Sequence, residues 1–380
     1  MKIGLVCPYD YHSLGGVQSH IRHLAAALSE LGHEVRVLAP RGQGEASPDM
    51  IAAGECKRVR FSETAFEMTW VGWRELRQLR RRLSEEQFDL LHFHTIWNPF
   101  MPLQVLMATS VPTVATFHDT TPDTLLGRIL ARTLMPAAAA VLRGLLLTRS
   151  IAVSPSPVPH LTRFYRGDLK IVPNGVEFNE YRPPQNQPLP QYRDEKSNIL
   201  YLGRLEERKG VLFLLEAYAR MRSRRSDVRL LVAGDGHLRG ELEAYIEDHS
   251  IPDVEMLGVV DEDTKRRLYA TCDIYCSPAV AGESFGIVLL EAMASGKPAV
   301  GAANSGYRWV LQGEEGRELL VPPRDAAALE RKLSQLLDDE ELREHLGRWG
   351  VKEAARYDWA AVASQVLEVY REALQSSKNG

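Results

Sequence analysis

Cysteine is scarce in this 380-residue sequence, and the four present, Cys7, Cys56, Cys272 and Cys276, are scattered apart from one C-x₃-C pair with no second ligand pair nearby. That excludes a disulfide framework and a cysteine zinc site, and leaves buried, reduced thiols packing as small hydrophobes. A basic excess is missing too: 46 Lys and Arg stand against 50 Asp and Glu, a net charge of −4. A protein that coats nucleic acid needs the opposite balance to neutralise phosphates, so no nucleic-acid partner is expected. Every long apolar run is broken by Arg or Pro, which excludes an ordinary membrane span. The strand-like KIGLVCP at the start leaves no room for a signal peptide, so a cytoplasmic protein is expected. There is no G-x-x-x-x-G-K-[ST] loop, and a P-loop nucleotide hydrolase is excluded with it.

What is there is an ordinary globular composition, 44% hydrophobic and 25% charged, in a chain long enough for about two domains. Short β-branched runs alternate with helical periodicity in both halves: KIGLVCP, EVRVLAP, DLLHFH, TVATFH and SIAVS, then NILYLGR, VRLLVAGDG, VEMLG, DIYCSP and PAVGA. Continuous apolar strands between helices indicate buried parallel sheets, hence two doubly wound α/β domains in series. The proline-rich stretch from Tyr181 to Ser197 reads as a linker or surface loop. Domains are expected at 1–178 and 179–357, with a last helix, about 358–380, returning to complete the first. Ligands of such sheets bind beyond the carboxyl ends of the strands, so the chemistry is sought in those loops.

In the first half, Gly15 and Gly16 precede a helix, where backbone N–H groups can meet an anion or simply make a tight turn. The loop lacks a G-x-G-x-x-G fingerprint and its acidic partner, which disfavours a nicotinamide cofactor. His118 ends the TVATFH strand and is followed by Asp119, either a general-base arrangement or a capped turn. His92 and His94 are read as pointing to opposite faces of their strand. In the second half, YLGRLEERKG flanks a turn with Arg204 and Lys209, which suits a diphosphate at a helix start. The D-x-D of Asp261 and Asp263 reads as an acidic first helical turn, not a metal site.

AGESFGIVLLEAMASG carries Glu283 and Glu291 eight residues apart. Glycosidase carboxylates sit roughly 5–10 Å apart. If both glutamates were helical, their backbones would be separated by about 12 Å, too far for an acid/base pair and suited to holding two parts of one long ligand. The intervening Ser284, Phe285, Gly286 and Ile287 would expose backbone N–H groups at the helix start.

Together GGVQSH, ATFHD, IVPNGV, GRLEERKG, AGDG and GESFGIVLLEAMASGKPAV, in this order over nearly the whole chain, resemble glycosyltransferase family 4, retaining enzymes of the GT-B architecture. The resemblance implies two Rossmann-like domains facing an interdomain cleft, with a nucleotide sugar on the second domain and the acceptor on the first. It implies that Arg204 and Lys209 hold the diphosphate, Glu291 the ribose, and Glu283 with the Ser284 to Ile287 backbone the hexose. Gly16 would approach the diphosphate and His118 the transferred sugar. Within the family the sequence is most similar to actinobacterial phosphatidylinositol mannosyltransferases. This implies GDP-mannose as donor, with Glu262 and Lys265 at the guanine, no required metal or other cofactor, and Tyr9, Gln18, Arg60, His118 and Asp119 on the acceptor side. There the pattern departs: Asp123 stands near a position where those enzymes place a lysine, and a carboxylate repels a phosphodiester. The acceptor is therefore expected to be a lipid or polyol, and the alternatives are a UDP-sugar enzyme with a soluble acceptor or an inactive nucleotide-sugar-binding protein.

WVGWRELRQLRRRL places Trp70, Trp73, Leu76, Leu79 and Leu83 at helical spacing, with Arg74, Arg77, Arg80, Arg81 and Arg82 around the rest. Such a helix either lies on an anionic membrane surface or packs its leucines into the domain. With a lipid acceptor, a peripheral protein at the inner face of the plasma membrane is expected. A second apolar stretch, Leu125 to Leu147, is interrupted by Arg residues and Pro136.

Overall fold

Two mainly parallel sheets organise the chain in a computed structural model that describes residues 1–13, 15–42, 49–61, 64–96, 98, 100–118, 147–164 and 169–378. One unit comprises Met1–Gly175 with Trp359–Gly380, the other Val176–Asp358. The cuts fall at 175/176 and 358/359, where the sequence reading sets them at 178/179 and 357/358.

In the first unit the strands are β1 (Lys2–Val6), β2 (Glu34–Arg41), β3 (Met50–Phe61), β4 (Thr64–Trp70), β5 (Leu90–His94), β6 (Thr113–Phe117), β7 (Arg149–Ala152) and β8 (Leu169–Ile171). They lie in the order β4-β3-β2-β1-β5-β6-β7-β8, parallel except for the β3/β4 pair. After Lys2, β1 reads IGLV, apolar because both its faces are covered. Ile3 and Leu5 pack with the Gly16–Glu30 and Trp359–Lys378 helices, while Val6 joins a second cluster with Leu79 and Leu83 of the Trp73–Glu86 helix. The last helix is thus a core element of this unit: Val362, Val366 and Tyr370 are buried, and Arg149 Nη2 donates to Ser376 Oγ at 2.7 Å.

The second unit has β9 (Ser197–Leu202), β10 (Val228–Ala233), β11 (Val254–Gly258), β12 (Ile274–Ser277), β13 (Ala299–Ala302) and β14 (Leu320–Val321), all parallel, in the order β11-β10-β9-β12-β13-β14. Strand order reverses between β9 and β12, and between β1 and β5 in the first unit. A crevice opens at such switch points beyond the strands' carboxyl ends.

The proline-rich segment is not a free linker. Tyr181, Leu189 and Tyr192 are buried in the second unit; the Leu189 N–H donates to Thr271 Oγ1 at 2.8 Å and Tyr192 O–H to Glu255 Oε2 at 2.6 Å. Bends and a 3-10 turn at Pro190–Tyr192 carry this stretch over the surface, and its few large apolar bodies fasten it there.

Candidate functional site

The loops after β9 and β12 meet at the switch point of the second unit. Gly210, at φ 70°, precedes the Val211–Arg222 helix, and a Cβ there would stand 2.3 Å from the Pro278 carbonyl oxygen. Only glycine allows this approach. The Val280 N–H also donates to the Arg208 carbonyl at 2.8 Å, locking the two loops. In consequence Lys209 Nζ lies 2.6 Å and Arg208 Nη1 3.2 Å from Glu283 Oε1. Arg204, expected on a diphosphate, pairs with Glu206 at 2.8 Å, its side chain 68% exposed. Arg208 was missed in the sequence; it spans Glu206 and Glu283, and its place between Glu207 and Lys209 in a short charged run was the only signal.

Glu283 is not helical. The helix runs Ile287–Ala294, so Ser284, Phe285 and Gly286 form a turn before it, and the 12 Å estimate from helical rise does not apply. Gly286 has φ 119°, and a Cβ there would meet the Tyr307 ring at 2.7 Å. Phe285 is buried and anchors the turn, while Ile287 is exposed. Glu291 lies inside the helix and is buried. Its carboxylate accepts from Tyr181 O–H at 3.1 Å, Tyr269 O–H at 2.9 Å and Lys265 Nζ at 3.2 Å. Lys265 also pairs with Glu262 at 2.6 Å. Burial works against its charge, yet Glu291 and Glu262 outweigh burial and hold the ammonium above its ordinary pKa. Burial foremost, then Glu291, raises both phenols, which stay protonated donors. Asp261 caps the Glu262–Thr271 helix, accepting from the Thr264 N–H at 2.7 Å, while Asp263 stands in the first turn.

In the first unit, the Gly16–Glu30 helix has Gly15 as N-cap, and a side chain at Gly16 would meet nothing within 4 Å. Gln18 is buried and turned into its own loop, where Nε2 donates to Ser13 Oγ at 2.9 Å. Tyr9 packs, half-buried, on the core. Arg60 lies on β3, in backbone register with Ala65. Asp119, Asp123 and all of Leu125 to Leu147 except its last residue lie outside the described residues.

His118 follows β6 and is partly exposed; its Nε2 lies 3.1 Å from His94 Nδ1. The opposite-face reading of His92 and His94 is overturned, since their rings are 4.3 Å apart. Side chains two residues apart on a strand share a face. His92 has both nitrogens occupied, by Tyr370 O–H and Thr116 Oγ1, each at 2.7 Å. Burial lowers His92 to a pKa of about 3 and His118 to about 4.

A pH dependence follows for the fully buried His92. Unfolded, it takes up a proton near its ordinary value of 6.5; folded, it does not until about 3. Stability is therefore lost as pH falls below 6.5, at up to about 1.4 kcal/mol per pH unit. The urea midpoint of the wild type should drop between pH 6.5 and 5, above the carboxylate range, and more gently in His92→Gln. A flat wild-type midpoint would contradict a neutral His92.

The basic helix is shorter than its spacing suggests. It starts at Trp73, and Trp70 ends β4 instead. Leu79 and Leu83 are buried, with Leu76 packed beside them, so the leucine stripe serves the domain core. Trp73 is 78% exposed, and Arg74, Arg77, Arg80 and Arg81 are also at the surface. Trp70, Phe100 and Met107 are exposed as well; the Trp70 and Phe100 rings meet at 5.0 Å and Arg80 Nη2 donates to the Met107 carbonyl at 3.0 Å. Among the described residues no helix is long and apolar enough to cross a membrane.

Residues 14–180 match the family described as Glycosyltransferase Family 4, and residues 186–353 the one described as Glycosyl transferases group 1. The chain is 34% identical to a phosphatidyl-myo-inositol mannosyltransferase of Mycolicibacterium smegmatis over 97% of this chain and 93% of that protein. It is 32% identical to one of Propionibacterium freudenreichii over 99% and 96%. Among solved structures, sucrose-phosphate synthase of Thermosynechococcus elongatus superposes with a TM-score of 0.77 at 21% identity, covering 99% of both chains. Anabaena HepE in complex with UDP-glucose superposes at 0.72 and 19%, covering 97% of this chain and 99% of that one. The fold is GT-B.

Proposed function

The chain belongs to glycosyltransferase family 4, and from that premise we propose that it moves mannose from GDP-mannose, with retention, onto a lipid or polyol acceptor at a membrane face. The observation that carries the donor side is the cluster of Arg204, Arg208, Lys209 and Glu283 at the β9/β12 switch point. A diphosphate arriving there competes with Glu206 and Glu283 for the three cations. Lys209 turns to the phosphates, and Glu283, released from it, accepts from hexose hydroxyls, with Ser284, Phe285, Gly286 and Ile287 supplying the wall and backbone of the hexose pocket. Charge-assisted bonds of this kind contribute roughly 1.5–3 kcal/mol each, and they strengthen as the leaving diphosphate gains charge. Glu291, held by two phenols and Lys265, takes the ribose hydroxyls, and Glu262 with Lys265 reads the guanine edge, carboxylate to N–H and ammonium to carbonyl.

In the transfer step the sugar-to-diphosphate C–O bond breaks, the acceptor oxygen forms the new bond on the same face, and the acceptor proton passes to the departing phosphate. Fixed cations do this without an assigned metal cofactor. Of the first unit, Gly16 is assigned to the donor diphosphate, and Tyr9, Gln18, Arg60, His118 and Asp119 to the acceptor and the sugar's outer face. The identity to phosphatidyl-myo-inositol mannosyltransferases supports mannose and an inositol lipid. Calorimetry with GDP and UDP tests the donor: GDP should bind at least tenfold more tightly, and tighter UDP binding would sink the assignment.

Exposed Trp70, Trp73, Phe100 and Met107 beside the arginines support docking on anionic lipid. Each basic residue near such a surface contributes about 1 kcal/mol. Replacing Arg77, Arg80 and Arg81 by Ser should therefore weaken sedimentation with phosphatidylserine vesicles by on the order of a hundredfold, while turnover of a short-chain acceptor changes far less. Unchanged sedimentation would remove the membrane claim.

A further inference from the structure

Four imidazoles crowd the carboxyl ends of β5 and β6 in the first unit, and one of them, His92, is fully satisfied. His20 and His94 are not. His94 Nδ1 is 3.1 Å from His118 Nε2, and among the described residues His94 Nε2, His20 Nδ1 and Oδ1 of Asn174, the amide that interacts with His20, are buried without a close hydrogen-bond partner. His20, on the second turn of the Gly16–Glu30 helix, was not singled out in the sequence. Its ring centroid lies 4.6 Å from that of His118 and 5.3 Å from that of His94. One nitrogen from each of the three falls within 4.8 Å of the others. A buried unmet nitrogen costs about 1–3 kcal/mol, and an ion held between the three rings would relieve that cost at His20, while His94 Nε2 points away from the His94–His118 contact.

The chemistry of the set selects that occupant. Three imidazole nitrogens with no carboxylate among them suit a borderline divalent ion such as Zn²⁺ or Co²⁺, and not Mg²⁺ or Ca²⁺. Tetrahedral zinc at about 2.0–2.1 Å from each nitrogen spaces its ligands by roughly 3.3 Å. His94 Nδ1 and His118 Nε2 already stand near that spacing at 3.1 Å, and a His20 nitrogen lies within 4.8 Å of both residues' ligand atoms. Burial holds all three imidazoles neutral, leaving a lone pair on each for a metal.

We propose that His20, His94 and His118 form a binding site for one Zn²⁺-like ion within the first unit, and that filling it inhibits transfer by withdrawing His118 from the sugar. Binding stands on the histidine geometry alone; the inhibitory effect rests on the role assigned to His118 above.

The test uses the full chain after chelator treatment. Equilibrium dialysis against Zn²⁺ should give one ion per chain. Co²⁺ should produce tetrahedral d–d absorption without a sulfur charge-transfer band, which separates the site from the cysteines. His20→Gln and His94→Gln, each checked by circular dichroism, should weaken binding at least tenfold. The wild-type spectrum decides the matter even if both variants misfold: no stoichiometric ion, or a sulfur-ligated one, overturns the site and leaves a buried water as the occupant. Transfer is then measured against each protein's own metal-free rate. Zn²⁺ should inhibit the wild type at the concentration that fills the site and His20→Gln only at least tenfold higher. Full wild-type activity with the site filled overturns the inhibition, and absence of transfer from any nucleotide sugar overturns the glycosyltransfer reading while the bound ion stands.

Discussion

Glu283→Gln lowers kcat/KM for transfer by at least about tenfold, a loss of roughly 1.4 kcal/mol of transition-state stabilisation. The side chain is 11% exposed, and one of its oxygens faces both Lys209 and Arg208. The amide keeps the shape of the carboxylate and removes its charge, so the loss tests the acceptor oxygen that grips the hexose. Because the carboxylate competes with a diphosphate for these cations, GDP should bind the variant at least as tightly as the wild type. That combination, slower transfer with undiminished GDP binding, is not produced by a damaged fold. Full activity in Glu283→Gln would refute the hexose role.

Lys209→Ala also lowers transfer at least about tenfold, by a different route. Here GDP binding falls with the rate, since an ammonium 2.6 Å from Glu283 is lost from the diphosphate side and the carboxylate is left facing Arg208 alone. The two substitutions touch one pair, so the double variant should lose less than the product of the single losses. Strict multiplicativity, measured in a double-mutant cycle, would mean that Lys209 and Glu283 act independently. GDP binding unchanged in Lys209→Ala would remove the lysine from the diphosphate.

Much of the architecture was legible because both faces of a parallel strand are buried: runs such as LLVA within Val228–Ala233 are apolar without alternation. β3 and β4 carried no such signal. β3 holds Glu55, Lys57, Arg58 and Arg60 and pairs antiparallel with β4, so no uniform apolar run marks it. On β5 a period of two sets His92 and His94 on one face, but nothing in the local pattern marks the cluster that His20 completes from a distant helix. Only the sheet order, which sets β5 beside β6 and the first helix above β1, brings those rings together.

The acidic pair was found in the sequence by type and spacing, but its geometry was not. A 12 Å separation needs one helix holding both glutamates, whereas Gly286 starts the helix after Glu283 by taking a left-handed backbone. Tyr181 shows the same limit. In the sequence it belongs to a proline-rich linker; in the fold its phenol reaches Glu291, 110 residues away. The leucines of the arginine-rich helix fit two readings equally well until packing assigned them to the core and left Trp73 outside. Periodicity identifies an apolar face, and only the neighbouring elements decide what covers it.

The central claim is transfer of mannose from GDP-mannose to a lipid or polyol, and mass analysis of the product tests it most directly. Wild-type protein is incubated with GDP-mannose and anionic vesicles containing phosphatidylinositol, alongside UDP-glucose and GDP-glucose controls. A lipid product heavier by one hexose is expected, formed with GDP-mannose in preference to either control and lost in Glu283→Gln. A product formed only from the UDP sugar, or bound GDP-mannose that is never transferred to any lipid or polyol, would contradict it.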